Sequence, residues 1–589
     1  MKRMPRKLVV LEITVLAGLG LGCWYAVGNW PARSTPSLIP FPSSYVPRQG
    51  VFTLDPSTRV YSVDTNTTPI ASYFCGLINR SMGWNLTCAA PATLVHDVPG
   101  QSVWLILDPA TFPSNSEGYS LNITARRVEI ASSALAGIFY GIQTIRQLLP
   151  ALVESAFNAS SSSSPGSLSI PCCMVKDAPR FTWRGFMLDD ARYFHGVALV
   201  KKMLDVMALF KMNTFHWHLT DDQGWRIQIL QYPNLTAIGA WRNESNGDRI
   251  PTGGFYTQEQ IRDIVKYASD RFIKIIPEIE MPGHSLAALA SYPWLGCTGG
   301  PYSVETGWGV FKDVYCGGKE STFTFLENVL TEVISLFPSK IIHVGGDEVP
   351  KDRWHACPFC QARITGLGLT DEEALQTYFT NRIVAFLGNH NARAIGWNEI
   401  LKPGLNDTAI GQIWSADNNF AILQLRQGRQ LVMSPTGYMY LDYSHFTTSL
   451  TKCYSFDPIP PGLDAGAASN VLGLEAPIWS EGCPNDSRVE LQVFPRLLAI
   501  AEVGWGKHVS SWTVSSYDDF YARAGLVLQR LDALHIQHVS LAEADPGIVH
   551  DQAIPLGWLL FLSPLYTMAL LLACCQVMIA REFKRHSRS

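Results

Sequence analysis

Eight short apolar runs follow one another between residues 185 and 481, and each ends in polar or glycine-rich residues. Helical patterns such as ALVKKMLDVMALFKM and TQEQIRDIVKYASDR lie between several of these runs. Alternating strands and helices of this number are typical of a (β/α)8 barrel, with a doubly wound sheet as the alternative. We therefore predict an α/β fold with a barrel over residues 181–540. The runs are GFMLDDAR, NTFHWHLTDD, IKIIPEIEMPGH, KIIHVGGDE, RAIGWNEI, AIGQIWSAD, LVMSPTGYMYLD and VLGLEAPIWSE.

The chain before residue 180 has a different pattern. Short alternating segments such as SVWLILD and YSLNITARRVEIAS precede ALAGIFYGIQTIRQLL, which has helical spacing. Alternation with period two indicates half-buried strands, and apolar spacing of three to four indicates a helix. The sequence thus predicts a small α+β domain over residues 28–180.

Both ends of the chain are hydrophobic and flanked by positive charge. Residues 1–27 read as a signal peptide or an uncleaved signal anchor. Residues 554–580 carry no charge and exceed the roughly 20 residues that a membrane-spanning helix needs, and a basic tail follows at 581–589. The positive-inside rule places that tail in the cytosol and the middle of the chain in the lumen or outside the cell. We expect a membrane protein, with the plasma membrane favoured and the secretory pathway or vacuole as alternatives.

Two further features agree with a lumenal or extracellular location. Asn-x-Ser/Thr sequons are confined to the middle region, which indicates N-glycosylation. All cysteines except Cys23, Cys574 and Cys575 also lie there, which favours disulfides. The sequons are at Asn66, Asn79, Asn85, Asn122, Asn158, Asn234, Asn243, Asn406 and Asn485. The expected pairs are Cys75 with Cys88, Cys297 with Cys316, Cys357 with Cys360, and Cys453 with Cys483.

Two cysteine patterns admit other interpretations. Cys172 and Cys173 are adjacent, and we expect them to stay reduced. The CPFC motif at residue 357 could indicate zinc or redox chemistry, but no second pair at zinc spacing follows it, so a disulfide within the loop is favoured. The formal net charge of −4 and the lack of a dense basic run outside the termini exclude nucleic acid as a partner.

Reactive residue types stand at the ends of the predicted strands. Because the C-terminal ends of barrel strands meet at one open face, these side chains should form one site. A rim of tryptophans and carboxylates suits a sugar, whose ring stacks on indole and whose hydroxyls need polar partners. The residues are Arg192, Asp221, Asp222, Glu280, His284, Asp347, Glu348, Trp397, Trp414, Tyr440, Asp442, Trp479 and Glu481.

The adjacent acids Asp347 and Glu348 follow an apolar run and two glycines. A glycosidase needs a protonated acid and negative charge beneath the developing oxocarbenium ion, and two close carboxyls supply both because ionising one raises the pKa of the other. We assign the proton donor to Glu348; the competing interpretation is a solvated turn. His216 and His218 share one face of a strand, where hydrogen bonding in the barrel is favoured over a metal site.

These motifs resemble those of a known family. HVGGDE, together with DDARYF, HWHLTDDQGW, PEIEMPGH and YLD, resembles the β-N-acetylhexosaminidases of glycoside hydrolase family 20, particularly the plant enzymes, over about residues 38–540. The resemblance implies a retaining mechanism in which the 2-acetamido oxygen of the substrate attacks the anomeric carbon and forms an oxazolinium intermediate. It implies no protein nucleophile, cofactor or metal, and relatives of this kind often form homodimers.

The resemblance also implies a role for each rim residue. Glu348 is the general acid and then base, and Asp347 orients the acetamide. Tyr440 binds the acetamide oxygen, while Asp221 and His284 support the acid. Glu280 has no direct role, because many relatives have Asp there, and Trp217 and Trp225 are structural. Trp397, Trp414 and Trp479 wall the pocket, and Arg192, Asp442 and Glu481 hold sugar hydroxyls.

The expected function is removal of terminal β-linked N-acetylglucosamine, and N-acetylgalactosamine, from N-glycans or chito-oligosaccharides. Two alternatives stay open from the sequence. One is a membrane-attached, lectin-like protein that binds sugar without turnover. The other is a glycosidase that uses a carboxylate nucleophile of its own.

Overall fold

The computed structural model describes residues 36–89, 100–156, 166–243, 252–415, 417–506 and 514–546. The predicted hydrophobic segments at 1–27 and 554–580 and the basic tail at 581–589 lie outside these residues. Among the helices that are described, none combines the length and the apolar composition needed to cross a bilayer.

The N-terminal domain is a seven-stranded mixed sheet with helices Thr68–Met82 and Leu135–Leu148. Strands β5 and β6 alternate buried and half-buried residues, so one face of the sheet packs on the core. The strand order is β1-β7-β5-β6-β4-β2-β3. The strands are β1 (Ser44–Leu54), β2 (Arg59–Ser62), β3 (Thr87–Ala89), β4 (Ser102–Leu107), β5 (Tyr119–Ile123), β6 (Arg127–Ser132) and β7 (Leu168–Asp177).

The second domain is a closed barrel of eight parallel strands, which confirms the predicted (β/α)8 architecture. All seven residues of β8 are buried, as expected for a strand covered on both faces, and this explains why the sequence shows continuous apolar runs there. The strands are β8 (Trp183–Asp189), β9 (Thr214–His218), β10 (Lys274–Glu278), β11 (Ile341–His343), β12 (Arg393–Trp397), β13 (Ile410–Ile413), β14 (Leu431–Met433) and β15 (Val471–Ile478).

Helices surround the barrel and leave its mouth to the loops. The connection from β12 to β13 contains only the 3-10 turn Asn398–Ile400, so one unit lacks a covering α-helix. The α-helices of six or more residues are Gly196–Leu209, Gln258–Ser269, Leu286–Ser291, Glu320–Leu336, Pro358–Leu367, Glu372–Asn389, Asn418–Arg426, Leu450–Ser455, Asp486–Val493, Arg496–Trp505 and Val514–Ala533. Shorter ones are Asn234–Ala237, Asp352–Ala356, Thr436–Met439, Ala465–Ala468 and Leu541–Ala544.

Buried ion pairs join the two domains. Arg184 in β8 lies 2.7 Å from Glu117, and Lys211 lies 3.0 Å from Asp177 at the end of β7. Breaking one partner of a buried pair leaves an uncompensated charge, so these contacts fix the N-terminal domain against the bottom of the barrel. The sheet ends at Asp177 and the barrel begins at Trp183.

The cysteines follow the sequence predictions only in part. Cys75 and Cys88 form a disulfide, and Cys172 and Cys173 are free and buried, as predicted. The other three predicted pairs are wrong, because Cys297, Cys316, Cys357, Cys360, Cys453 and Cys483 are all free thiols. The physical reason is that short loop length does not fix the direction of the Cβ atoms, on which a disulfide depends.

Most predicted glycosylation sites are on the surface. The exposed asparagines are Asn66, Asn85, Asn234, Asn243, Asn406 and Asn485. Asn79 and Asn122 are half-buried, and their side chains are hydrogen-bonded to Leu86 and to Arg48 and Glu129 respectively. Asn158 lies outside the described residues. The structure therefore leaves the exposed six as the accessible acceptors among those described.

Candidate active site

A cavity of about 230 Å³ opens at the C-terminal mouth of the barrel. It brings together the two central acids and all six of the predicted sugar-binding residues, together with Tyr440. One wall residue, Tyr443, was not predicted. The lining consists of Arg192, Asp347, Glu348, Trp397, Trp414, Tyr440, Asp442, Tyr443, Trp479 and Glu481. Asp221 and His284 lie behind this surface.

The backbone after β11 is tightly folded. Gly345 and Gly346 have φ of +60° and +93°, which glycine adopts without a steric penalty. A Cβ on Gly345 would lie 1.6 Å from Oε2 of Glu280, and one on Gly346 would lie 2.3 Å from Cγ2 of Ile400. The glycines therefore let the turn pack directly on Glu280 and Ile400.

Glu348 itself has a left-handed backbone, with φ of +48°. This conformation is uncommon for a residue other than glycine, asparagine or aspartate, and such strain concentrates at functional sites. The turn leaves the Glu348 side chain 41% exposed in the cavity and that of Asp347 only 12% exposed. Two adjacent acids thus have different environments.

His284 lies beneath both acids, as the supporting arrangement predicted. Its Nδ1 is 3.3 Å from Oδ1 of Asp221 and 3.2 Å from Oδ2 of Asp222. Its Nε2 is 3.6 Å from Oε2 of Glu348 and 3.7 Å from Oδ2 of Asp347. At these distances the ring forms ion pairs with the acids rather than short hydrogen bonds. Asp222 therefore shares the support of His284 with Asp221.

The electrostatics of the pair differ from the sequence prediction. Burial would lower the pKa of His284, but the charge of Asp221 and contacts with Asp222 and Glu348 raise it well above the usual value. The cationic ring in turn lowers the pKa of Glu348. Burial raises the pKa of Asp347 to about 7. The prediction that the pKa of Glu348 is raised is therefore wrong for the free protein. Burial favours the proton on Asp347 instead.

Aromatic rings form the wall opposite the acids. The rings of Trp414 and Tyr440 are nearly parallel with centroids 6.2 Å apart, and Tyr440 is 6.3 Å from Trp479. Trp397 contacts Trp479 at 5.8 Å and donates its indole N–H to Glu278 at 2.9 Å. These packing contacts fix the orientation of the rings that face the cavity.

Arg192 is held in place on three sides. Its guanidinium is 3.0 Å from Asp221, 3.3 Å from Asp189 and 3.3 Å from Glu481, and it lies 4.8 Å from the Trp479 ring. A planar guanidinium fixed in this way presents its remaining donors in a set direction. Asp442 is nearby, and burial raises its pKa to about 7.

Glu280 is buried below the turn and does not line the cavity. Burial and the charge of Asp347 raise its pKa well above the usual range, and its side chain packs on Gly345. The structure thus places Glu280 outside the lining of the cavity, unlike most of the strand-end residues that the sequence grouped with it.

The barrel interior contains the histidines of β9. His216 bridges Glu475 at 2.7 Å and Glu278 at 3.0 Å, and His218 bridges Glu278 at 2.5 Å and Asp221 at 2.9 Å. Both rings are hydrogen-bonded in the barrel interior, His216 through Nδ1 and His218 through both ring nitrogens. Trp217 and Trp225 are buried and donate to Asp190 and to the Ile227 carbonyl, as expected for structural residues.

Sequence reasoning missed several residues that shape the pocket. Tyr443 is a wall residue three positions after Tyr440. Glu399 accepts the Trp414 indole N–H at 2.9 Å and so orients that ring. Asp189 accepts the backbone N–H of Arg192 at 3.1 Å. The position of Glu399 two residues after Trp397 could have indicated proximity to the rim, but its partner is set by the fold.

An acid pair in a tryptophan-lined pocket at the mouth of a parallel barrel suits the hydrolysis of a glycosidic bond, which is the chemistry of the glycoside hydrolases. Residues 181–508 match the model of glycosyl hydrolase family 20, catalytic domain, and residues 35–178 match that of its domain 2. The chain therefore belongs to glycosyl hydrolase family 20.

Individual relatives agree with this assignment. A β-hexosaminidase of Porphyromonas gingivalis is 40% identical over 524 residues, which cover 87% of this chain and 65% of that protein. The β-N-acetylhexosaminidase of Streptomyces coelicolor superposes with a TM-score of 0.74 at 29% identity, covering 87% of this chain and 99% of that one. An exo β-N-acetylglucosaminidase of Vibrio harveyi, solved with N-acetylglucosamine, gives 0.75 at 28% identity over 87% of this chain and 80% of that one.

Proposed function

We propose that the protein is an exo-acting β-N-acetylhexosaminidase that removes terminal, non-reducing N-acetylglucosamine, and N-acetylgalactosamine, from N-glycans or chito-oligosaccharides. The observation that carries this proposal is the placement of Asp347 and Glu348 side by side over His284 in a pocket walled by tryptophans. The names of the relatives support the same chemistry.

The reaction starts with the sugar ring stacked against the aromatic wall. Arg192 donates hydrogen bonds to its hydroxyls, Asp442 and Glu481 accept hydrogen bonds from them, and Tyr440 donates to the acetamide oxygen. Asp347 accepts the acetamide N–H and opposes the positive charge that develops as the oxygen attacks the anomeric carbon. Because the substrate supplies this nucleophile, no protein carboxylate needs to bond to the sugar.

Substrate binding reverses the protonation preference of the acid pair. The leaving-group oxygen displaces water from the half-exposed Glu348, and desolvation raises the pKa of a carboxyl group. The acetamide N–H donates to Asp347, and a hydrogen bond to the charged form lowers that pKa. Glu348 then protonates the leaving oxygen and afterwards removes a proton from the water that opens the oxazolinium ring.

A panel of aryl glycosides tests this function. We expect release of nitrophenol from the N-acetylglucosaminide and the N-acetylgalactosaminide and none from the plain glucoside, because the glucoside lacks the attacking amide. Turnover of the glucoside would favour a carboxylate nucleophile of the protein. Binding of N-acetylglucosamine without release from any substrate would favour the lectin-like alternative.

We further propose that the catalytic domain lies outside the cell or in the lumen, attached to a membrane through the hydrophobic ends, with the plasma membrane favoured over the secretory pathway and vacuole. The sequons, six of them exposed, and the Cys75–Cys88 disulfide support this side. Two measurements test this location. Enzymatic removal of N-glycans should lower the mass of the protein, and the domain should be protected from external protease in sealed vesicles.

We also propose a homodimer, from the resemblance to the family. Sedimentation of the detergent-solubilised protein measures its oligomeric state.

A further inference from the structure

Four cysteines that are far apart in sequence converge beside the active-site loops. Cys297 and Cys316 belong to the connection between β10 and β11, and Cys357 and Cys360 belong to the connection between β11 and β12. The Sγ atoms are 3.8 Å apart for Cys297 and Cys360, 3.7 Å for Cys316 and Cys357, and 3.6 Å for Cys316 and Cys360. All four sulfur atoms lie within 4.8 Å of one another.

These distances match a tetrahedron around a metal ion. A Zn–S bond of about 2.3 Å in tetrahedral geometry places neighbouring sulfur atoms about 3.8 Å apart. A disulfide would require about 2.05 Å, and these four residues are free thiols, whereas Cys75 and Cys88 are bonded. We propose that Cys297, Cys316, Cys357 and Cys360 bind one Zn²⁺ ion as a closed structural site.

The surroundings suit thiolate ligands. Cys316, Cys357 and Cys360 are buried in an apolar cluster with Val314, Trp354, Ile364 and Leu375, and Cys297 is half-buried at its edge. The backbone N–H of Gly318 donates to the Cys316 sulfur. Such outer hydrogen bonds orient metal ligands and stabilise their charge.

Gly318 also lets the two loops approach each other. A Cβ at this position would lie 2.2 Å from the carbonyl carbon of Phe359 and 2.3 Å from the backbone nitrogen of Cys360. The chain of the first loop therefore packs directly on the Cys-x-x-Cys turn of the second. This approach brings the two cysteine pairs within reach of one ion.

Among the metals that bind sulfur ligands, this ligand set favours zinc. Four sulfur ligands in a tetrahedron indicate zinc or an iron–sulfur centre, and four protein ligands leave no open position for catalysis. Binding converts four thiols and Zn²⁺ into a tetrathiolate complex of net charge −2 with release of four protons, and no electron is transferred. The site therefore needs no oxidant or reductant.

The site would stabilise the loops that carry the acid and its support. Trp354 donates to the Tyr315 carbonyl at 2.8 Å, and the Tyr315 N–H donates to the Pro282 carbonyl at 2.9 Å, two residues before His284. Val349, which follows Glu348, packs against the same cysteine cluster. One ion would thus fix both loops beneath the acid pair.

Metal analysis of the intact, purified protein is the first test. We expect about one zinc per chain by plasma mass spectrometry after dialysis without chelator, with stoichiometry following from four ligands per ion. Replacement by Co²⁺ should give the intense visible bands of tetrahedral thiolate coordination. A chain that lacks zinc and shows disulfides among these four residues in non-reducing peptide mapping would overturn the proposal, as would an iron spectrum in place of zinc.

Single substitutions sharpen the test. Cys297→Ser should lower zinc content by more than about tenfold, since even outer-shell changes cost 10- to 100-fold in affinity. Cys173→Ser is the matched control, because Cys173 is a buried free thiol in β7 of the other domain, and it should retain full zinc. If Cys297→Ser does not accumulate, mercurial titration of the wild-type protein with a colorimetric zinc indicator gives the answer. Release of one zinc ion per chain as the thiols are blocked would support the site, and release of no zinc would refute it.

Discussion

The interior of the barrel and its mouth both contain buried carboxylates, but the pKa values of these carboxylates are shifted in opposite directions. In the interior, Glu278 contacts His343 at 2.6 Å, His218 at 2.5 Å and Trp397 at 2.9 Å. Burial would raise its pKa, but the neighbouring histidines lower it well below the usual value. This carboxylate is charged and fully surrounded by donors.

At the mouth, the carboxylates have fewer partners. Within the described part of the chain, Oδ1 of Asp347 and Oδ1 of Asp442 are buried without a hydrogen-bond partner. Burial raises the pKa of each to about 7. An unpaired buried acceptor costs free energy, so such atoms mark places where substrate hydrogen bonds are made instead. Glu278 in the interior therefore supports the barrel, whereas Asp347 and Asp442 at the mouth keep acceptor atoms available for a ligand.

The largest effect is expected from the acid at the mouth. Glu348→Gln removes the proton donor and should lower kcat by about 10³-fold for substrates with a poor leaving group, within the range of general acid catalysis. Substrates with good leaving groups should lose less, because they need less protonation. Steady-state kinetics across a leaving-group series measures this, and equal losses across the series would contradict the assignment. The melting temperature should not fall, since the side chain is 41% exposed.

The interior acid should show the reverse. Glu278→Gln leaves His216 and His218 without their shared counter-charge and should lower the free energy of unfolding by about 3 kcal/mol. Because burial would lower the pKa of His218 but the charge of Glu278 raises it to about 10, this stabilisation is present below the usual histidine pKa and lost as the pH rises through about 10. Denaturant unfolding at pH 6 and pH 10 measures the effect. A loss of turnover at unchanged stability would contradict the assignment of Glu278 to support of the barrel.

Asp347→Asn tests whether the unpaired acceptor meets the acetamide. The substitution replaces a charge beside the developing cation and should lower kcat/KM by about 100-fold, comparable to removing one electrostatic contact to a transition state. Binding of an N-acetyl-thiazoline inhibitor, measured by calorimetry, should weaken. Unchanged inhibitor affinity would remove Asp347 from this role.

The smallest effect is expected on the free energy of unfolding when the buried carboxyl group of Asp442 is replaced. The pKa of Asp442 is about 7 in the folded protein and near the usual low value when unfolded, so the unfolded state loses the proton first and stability falls as the pH rises between these values. Asp442→Asn should therefore stabilise the protein by about 1 kcal/mol at pH 8 and change little at pH 4. Thermal melts at both pH values measure this. A destabilised variant at pH 8 would show that Asp442 is already paired.

The sequence predicted the barrel well because each strand is a short, continuous apolar run. All eight runs overlap a barrel strand, from Trp183–Asp189, which begins two residues before its run, to Val471–Ile478. The central acids were also predictable, since two glycines and two acids follow β11 directly. Glu399 was not, because its importance comes from the indole of Trp414, which is reached only when β12 and β13 are neighbours.

The cysteines mark the limit of sequence reasoning. Cys357 and Cys360 have the spacing of a metal pair, but their partners Cys297 and Cys316 precede them, 19 positions apart from each other. No second cysteine pair at zinc spacing follows them in the sequence, which favoured disulfides between cysteines that are close in sequence. The fold brings the two loops together because β10 and β11 are adjacent and parallel in the barrel.

The order of strands and helices, the position of the acid pair and the residue types around the mouth could all be read from the amino-acid sequence, because they depend on local apolar periodicity and on fixed spacing. The tertiary structure alone decided which acid holds the proton in the free protein, since burial of Asp347 and the charge of His284 arise from distant segments. It likewise decided which cysteines meet. Protonation and ligand geometry depend on distances in space, and distances in space are set by packing.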